Sequence, residues 1–275
     1  MKLSPNALHL VLPGGNRALD GVSLEIASGE RVAVIGPSGA GKTSLLRVLG
    51  TALRPTGGVI AIDGGDPWSL SREALRRLRS RVGTIYQAPP LPPRQRVVTA
   101  VLAGRLGAWG FWKGIASLVY PADIAGAREV LARLELSDRL FQRCDRLSGG
   151  QLQRVGVARV LYQRPALILA DEPVSALDPQ LADLTVAVLN REAQARNITL
   201  VASLHAVDLA LKWFPRVVGL RNGAVQFDCP PVRISEAMLH ELYGTESGGI
   251  PTQDYRPIAR PESGPHAAKR QPRCP

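Results

Sequence analysis

The chain has 275 residues, 45% of them hydrophobic, with a formal net charge of +11 and a mean hydropathy of +0.01. That length buries a full core, and the absence of an apolar run of about 18 residues excludes a membrane-spanning helix. His9 and Pro13 interrupt the stretch a secretion signal would need, and three widely spaced cysteines (Cys144, Cys229, Cys274) exclude a disulfide framework and a zinc site. A reducing cytoplasm is the expected home.

In chain order, residues 22–26 alternate apolar and polar like a half-exposed antiparallel strand, and 31–35 form a continuous apolar run typical of a buried one. A glycine-rich turn follows, then a helical pattern over 43–50. Residues 58–62 alternate again, and 59–63 read as extended. Ser71 is a plausible N-cap, with Glu73 in the first turn, for a helix carrying Arg72, Arg76, Arg77, Arg79 and Arg81. No aromatics are interleaved there, so the cluster reads as a solvated helix face and not as a base-stacking platform; no nucleic acid partner is expected. After a proline-rich entry (Pro89, Pro90, Pro92, Pro93), residues from about 88 to 160 read mainly as helix, including 127–134 and 151–162. Strands at 167–170, 198–204 and 217–220 flank a helix at 181–196. This alternation predicts an α/β fold with a parallel sheet covered on both faces. Asn222-Gly223 between apolar runs predicts a type I′ hairpin. From Thr245 onward the composition turns to Gly, Pro, Ser and charge, the pattern of a disordered tail.

The chemistry concentrates in three places. Gly36-Pro37-Ser38-Gly39-Ala40-Gly41-Lys42-Thr43 fits G-x-x-x-x-G-K-[ST] and lies between a strand and a helix, the context this phosphate-binding loop requires. Its glycines let successive N–H groups and a helix N-terminus face anionic oxygens. Lys42 adds a mobile charge for the outer phosphates, and the Thr43 hydroxyl can ligate Mg²⁺. Asp171 and Glu172 close the apolar strand at 167–170: Asp171 would reach the Mg²⁺ shell and Glu172 would orient or deprotonate an attacking water. Ser148-Gly149-Gly150-Gln151 opens the helix at 151–162, giving a second N-terminus with free donors and a serine. Two phosphate readers in one chain suggest that the second completes another copy's site.

With these motifs in place the sequence resembles the ATP-binding subunits of ABC transporters over about residues 1 to 244. Gly36–Thr43 is similar to the family's Walker A motif, residues 147–151 to its signature, Leu167–Asp171 with Glu172 to its Walker B motif, and 175–178 to its D-loop. Gln87 looks like the Q-loop glutamine and His205 like the switch histidine. The resemblance implies a P-loop NTPase core of RecA-like type, with an antiparallel β subdomain and an inserted helical subdomain at about 88–160. It also implies ATP and Mg²⁺, with Gln87 sensing the metal and His205 stabilising charge on the γ-phosphate. Two copies would face head to tail, ATP lying between Gly36–Thr43 of one and Ser148, Gly149, Gly150 and Gln151 of the other. Glu172, His205 and Gln87 form the implied catalytic set, and Thr43, Gln87 and Asp171 the implied metal set.

Segments 101–107, 203–211 and 214–223 resemble phosphonate importer ATPases. The implied role is a peripheral ATPase on the cytoplasmic face of the inner membrane. It would serve separate permease subunits and, through them, a periplasmic or lipid-anchored solute-binding protein. Three positions depart from the family's usual text. Leu12 stands where an aromatic usually stacks on adenine, and His9 is no substitute because strand alternation turns it to the other face. Ala88-Pro89-Pro90-Leu91-Pro92-Pro93 follows Gln87 in a loop that touches the membrane subunit in relatives, and Leu152 replaces a frequent glutamine. Trp109, Phe111 and Trp112 are either a patch for a membrane partner or core packing. Competing functions are import of another small solute (a phosphate ester, amino acid or metal), a non-transport accessory ATPase of phosphonate breakdown, and a nucleic-acid-associated ABC ATPase. The last lacks its usual long coiled coil or second cassette.

Overall fold

The computed structural model describes residues 1–107 and 123–244, so Trp109, Phe111, Trp112 and the stretch from Thr245 onward lie outside the described residues. The first half runs β1 (Leu3–Val11), β2 (Arg17–Val22), β3 (Arg31–Ile35), α1 (Lys42–Leu49), β4 (Gly57–Ile62), α2 (Arg72–Ser80), β5 (Val82–Ile85) and α3 (Val97–Leu102). The second half runs α4 (Ile124–Ala132), α5 (Gly149–Gln163), β6 (Leu167–Asp171), α6 (Pro179–Ala195), β7 (Thr199–Ser203), α7 (Val207–Trp213), β8 (Arg216–Arg221), β9 (Ala224–Cys229) and α8 (Glu236–Tyr243).

Six strands form one sheet in the order β5-β6-β7-β3-β8-β9, parallel except for β9. Because successive side chains on a strand point to opposite faces, each apolar strand feeds two cores. Ala33 and Ile35 of β3, Ile168 and Ala170 of β6, and Leu200 and Ala202 of β7 join one core with α3, α4 and α5. Val32 and Val34, Leu167 and Leu169, and Val201 face the other, where α1 packs Leu45, Leu46, Val48 and Leu49 beneath the antiparallel sheet β2-β1-β4. Continuous apolar runs are therefore what a sheet buried on both faces demands, and helices α1 and α5 supply the covers. The architecture is the expected α/β one.

Local chemistry explains the boundaries. Ser71 caps α2 by accepting from Ala74 N–H, and Asp178 caps α6 with Pro179 as the first helical residue. Asn222 and Gly223 have φ of 51° and 76°, the pair of left-handed residues that a type I′ turn needs, and they join β8 to β9.

The expected alternation at 22–26 is present, with Val22, Leu24 and Ile26 buried and Ser23 and Glu25 exposed, but the ladder strand itself is Arg17–Val22; after a break, antiparallel pairing to β1 resumes through the Leu24 N–H to the Pro5 carbonyl and the Leu3–Ile26 bridge. The cause is a kink in β1, where Ala7 sits at φ 47° and its N–H is taken by the Ser23 hydroxyl at 2.8 Å instead of by a backbone carbonyl. For β1 the sequence indicated a strand only around His9, since Pro5 disrupts its start, and β5 was not expected, since Gly83 shortens its pattern.

At the sheet's antiparallel edge, Arg216 grips Asp228 with both arms of its guanidinium (2.6 and 2.5 Å) and Glu30 at 2.8 Å, tying β8, β9 and the approach to β3 together. Burial alone would lower the guanidinium's affinity for its proton, but the bonds to the two carboxylates hold its pKa above the ordinary value. Asp228→Ala leaves a mostly buried arginine with one carboxylate. It should cost about 2 kcal/mol and lower the thermal midpoint by about 4–8 °C, checked by calorimetry.

Candidate functional site

Four parallel strands end on the same side of the sheet, and the expected site residues emerge from those ends. β3 runs into the Gly36–Thr43 loop, β6 ends on Asp171 and Glu172, β7 on Ser203 just before His205, and β5 just before Gln87. Ligands of open α/β sheets bind at such carboxyl ends.

The loop is held in the shape an anion requires. Gly39 and Gly41 have φ of 77° and 101°, and a Cβ on Gly41 would lie 2.3 Å from the Ala18 carbonyl oxygen. An alanine there would clash with backbone as well as strain φ. Lys42 folds back over the loop: its Nζ donates to the carbonyls of Gly36 (2.6 Å) and Pro37 (2.9 Å). The lysine thus ties the end of the loop back to its first two residues. Thr43 Oγ1 donates to Asp171 Oδ1 at 3.0 Å, and Ser203 Oγ donates to the same oxygen at 2.8 Å.

Glu172 follows at φ 47°, a left-handed conformation rare for a non-glycine residue. Both of its backbone polar groups are held: the N–H donates to Ser203 Oγ at 3.0 Å, and the carbonyl accepts from Gln153 Nε2 at 2.8 Å. Its carboxylate Oε1 is hydrogen-bonded to Nε2 of His205. Thr43, Asp171, Glu172 and His205 are therefore one connected cluster.

The remaining expected residues are placed differently. Ser148 caps α5 by accepting from the Gln151 N–H at 3.3 Å, and the Gln151 side chain returns the bond to the Ser148 N–H at 3.0 Å, a capping box. Gln151 is thus engaged within its own turn. Ser148 and Gly149 are exposed, and nothing lies within 4 Å of a Cβ built on Gly149. Gly150 packs against the loop after Glu172, where a Cβ would be 2.8 Å from the Ala176 carbonyl oxygen. Gln87 is exposed, with its carbonyl 3.5 Å from Gln153 Nε2. Leu12 packs partly buried against the second core, and His9 turns to Asp20 and the Gly21 N–H.

Two residues of the site were not foreseen. Ser203 was absorbed in the apolar run 198–204, although a hydroxyl at the carboxyl end of a buried strand was a usable signal. Gln153 is 1% exposed and ties α5 to the stretch after β6 at three points: besides Glu172, its Nε2 reaches Ser175 Oγ at 3.3 Å and its Oε1 accepts from the Ala176 N–H at 3.0 Å. A glutamine on the buried side of α5 was the signal for it.

The donor set suits a small oxygen-seeking cation. Among the described residues no group of three or more His, Cys, Asp and Glu could hold a metal. Thr43 and Asp171 offer two oxygens that phosphate and water would complete, the usual habit of Mg²⁺.

A sequence model of the ABC transporter family matches residues 19–175. A phosphonates import ATP-binding protein of Cupriavidus necator is 60% identical over 268 residues, covering 98% of this chain and 96% of that protein. Proteins of the same description from Pseudomonas aeruginosa and Pseudomonas putida are 64% identical over 246 residues and 57% identical over 278. They cover 90% and 100% of this chain, and 92% and 100% of their own lengths. Among solved structures, a dimeric bacterial ABC transporter cassette superposes with a TM-score of 0.73 at 28% identity, covering 83% of this chain and 98% of that one. A dimeric post-hydrolysis state of an ATP-binding cassette, bound to ADP and phosphate, gives 0.70 at 27%, with the same coverage.

Ser203→Ala removes the hydroxyl that serves both Asp171 and the Glu172 N–H. It should slow ATP hydrolysis at saturation by about tenfold, in a phosphate-release assay, with a smaller change in nucleotide affinity. Restoring an aromatic by Leu12→Tyr should tighten ATP binding by up to roughly tenfold, read by displacement of a fluorescent nucleotide.

Proposed function

The chain belongs to the ABC transporter family, and from that premise we propose that it is the ATP-hydrolysing subunit of an importer of phosphonates. The observation that carries the cargo is near full-length identity with phosphonate import ATP-binding proteins, 57% over 278 residues in one case. Membership of the family implies ATP binding; the individual roles below are our assignments. Residues 1–244 would form one nucleotide-binding domain whose helical subdomain spans about 88–160.

In this reading Lys42 leaves the Gly36 and Pro37 carbonyls for the phosphates, and the loop N–H groups of Gly36–Thr43 receive the remaining oxygens. Thr43 and Asp171 would hold Mg²⁺, with Gln87 assigned to its shell by resemblance to the family, and the ion would supply neutralisation of charge on the phosphate oxygens. Glu172 orients a water and takes its proton while the water oxygen bonds to the terminal phosphorus and the bond to the ADP oxygen breaks, its electron pair leaving with ADP. His205, whose Nε2 is bonded to Glu172, would donate toward the transferring phosphoryl group. Ser148, Gly149 and Gly150 of a second copy would close the site, which the exposure of Ser148 and Gly149 supports.

Among the described residues no helix is long and apolar enough to cross a membrane. In the proposed reading the cargo passes through separate permease subunits, with a solute-binding protein on their far side and this chain on the cytoplasmic face. A groove of about 530 Å³ between the loop after Gln87 and α5 supports a docking place for the permease. Tyr86, Pro89 and Leu91 give it an apolar wall, and Arg79 and Arg159 line it with positive charge. Gly156 is what lets the proline run pack there, because a Cβ would sit 2.8 Å from Pro89 Cβ.

Glu172→Gln should bind ATP with near wild-type affinity and hydrolyse it at least about 100-fold more slowly in a single-turnover assay; wild-type turnover would remove Glu172 from its role. Cells lacking the gene should fail to grow on a phosphonate as sole phosphorus source while growing normally on phosphate, and only the wild-type gene should restore growth. Selective failure on a different solute would replace the cargo.

A further inference from the structure

Helix α8, Glu236–Tyr243, lies outside the span matched by the family model and outside every motif described above, yet it reaches the nucleotide loop. The Gly36 N–H donates to the Tyr243 hydroxyl at 3.1 Å, across 207 residues of sequence. Gly36 is the first residue of the loop and is pressed close to β8: a Cβ on it would lie 2.0 Å from the Leu220 carbonyl oxygen. Burial pushes the Tyr243 phenol up to about 12, with the bond from Gly36 acting in the opposite direction, so the hydroxyl stays neutral at working pH.

The tyrosine is itself held from β8. Arg221, the last residue of that strand, donates to the carbonyl of Glu241 and, at 3.1 Å, to that of Gly244. It caps the carboxyl end of α8 with a cation, where helix carbonyls lack partners and the dipole favours positive charge. Two residues on, the Gly223 N–H donates to the Ala40 carbonyl at 3.0 Å, and the Gly223 carbonyl accepts from the Asp20 N–H at 2.9 Å. One hairpin turn therefore reaches the loop twice, at its start through Arg221 and Tyr243 and near its end through Gly223 and Ala40. Gly39 lies between those anchors and Gly41 directly after the second, both in left-handed conformations that an unrestrained glycine loop would populate only part of the time.

We infer that Tyr243 is a positioning residue for nucleotide binding, its hydroxyl fixing the Gly36 peptide so that the loop stays preorganised for phosphate. The inference rests on the reading of Gly36–Thr43 as the nucleotide loop and adds the C-terminal helix to that site. Preorganisation shows in affinity, because a loop ordered in advance loses less entropy when it binds.

The test is Tyr243→Phe, which keeps the buried ring and deletes the hydroxyl. The dissociation constant of a fluorescent ATP analogue and KM for ATP should rise by about threefold to tenfold, the worth of one hydrogen bond, while kcat at saturation stays within about twofold. Exchange of the Gly36 amide proton, followed by NMR, should accelerate. Unchanged affinity and KM, whether or not the thermal midpoint falls, would reduce Tyr243 to core packing and overturn the inference. If Tyr243→Phe does not fold, Arg221→Gln loosens the helix cap with the tyrosine intact and should raise KM in the same direction; unchanged KM there overturns it as well. Failure of the wild-type protein to bind the analogue would overturn the nucleotide reading, and with it this inference.

Discussion

One carboxylate oxygen, Asp171 Oδ1, takes hydrogen bonds from both Thr43 and Ser203, and the site is assembled around it. The sheet makes this possible, because β6 lies beside β7 and β7 beside β3, so their carboxyl ends converge. A carboxylate at the edge of two apolar cores is tolerable only with donors on it. The donors come from the helix that follows the phosphate loop and from the neighbouring strand. Ser203 then turns to Glu172, accepting its N–H, and Gln153 takes hold of the Glu172 carbonyl from the other side. The left-handed Glu172 is held by these two bonds, so local strain falls at the residue proposed to activate water. The order of dependence is strand order first, then the shared oxygen, then the backbone of Glu172.

Helix α5 links the parts of the proposed cycle. Its first turn is the capping box of Ser148 and Gln151, which leaves Ser148 and Gly149 facing outward. Gln153, one turn in, holds the Glu172 carbonyl and the loop that follows it. Gly156 and Arg159, further along, form one wall of the groove beside the proline run. In the proposed reading a single rigid helix thus touches the second copy's nucleotide, the hydrolytic residue and the permease. Movement at one of these surfaces has a direct mechanical path to the others.

Much of this was legible in the sequence, for a physical reason. Phosphate loops are local: the spacing of Gly36, Gly41, Lys42 and Thr43 is dictated by backbone wrapping over a few residues, so a linear pattern carries it. The strands β3, β6, β7 and β8 were legible because a doubly buried strand must be apolar throughout. The hairpin at Asn222-Gly223 was legible because its turn needs two positive φ angles. What could not be read depends on contacts between distant segments. The break between the β2 ladder and the extended stretch after it was not legible, because the kink at Ala7 is stabilised by Ser23, and neither residue carries a signal alone. Gln153, Ser203 and Tyr243 are ordinary residues until the fold brings Glu172, Asp171 and Gly36 beside them.

The account's central claim is that this cluster is half of a nucleotide site that a second copy completes. Sedimentation velocity of the Glu172→Gln protein, with ATP and Mg²⁺ or with ADP and Mg²⁺, tests it most directly. The account predicts a dimer with ATP, a monomer with ADP, and loss of the ATP dimer when Ser148→Arg is added. A protein that binds ATP yet sediments identically in all three cases would contradict it.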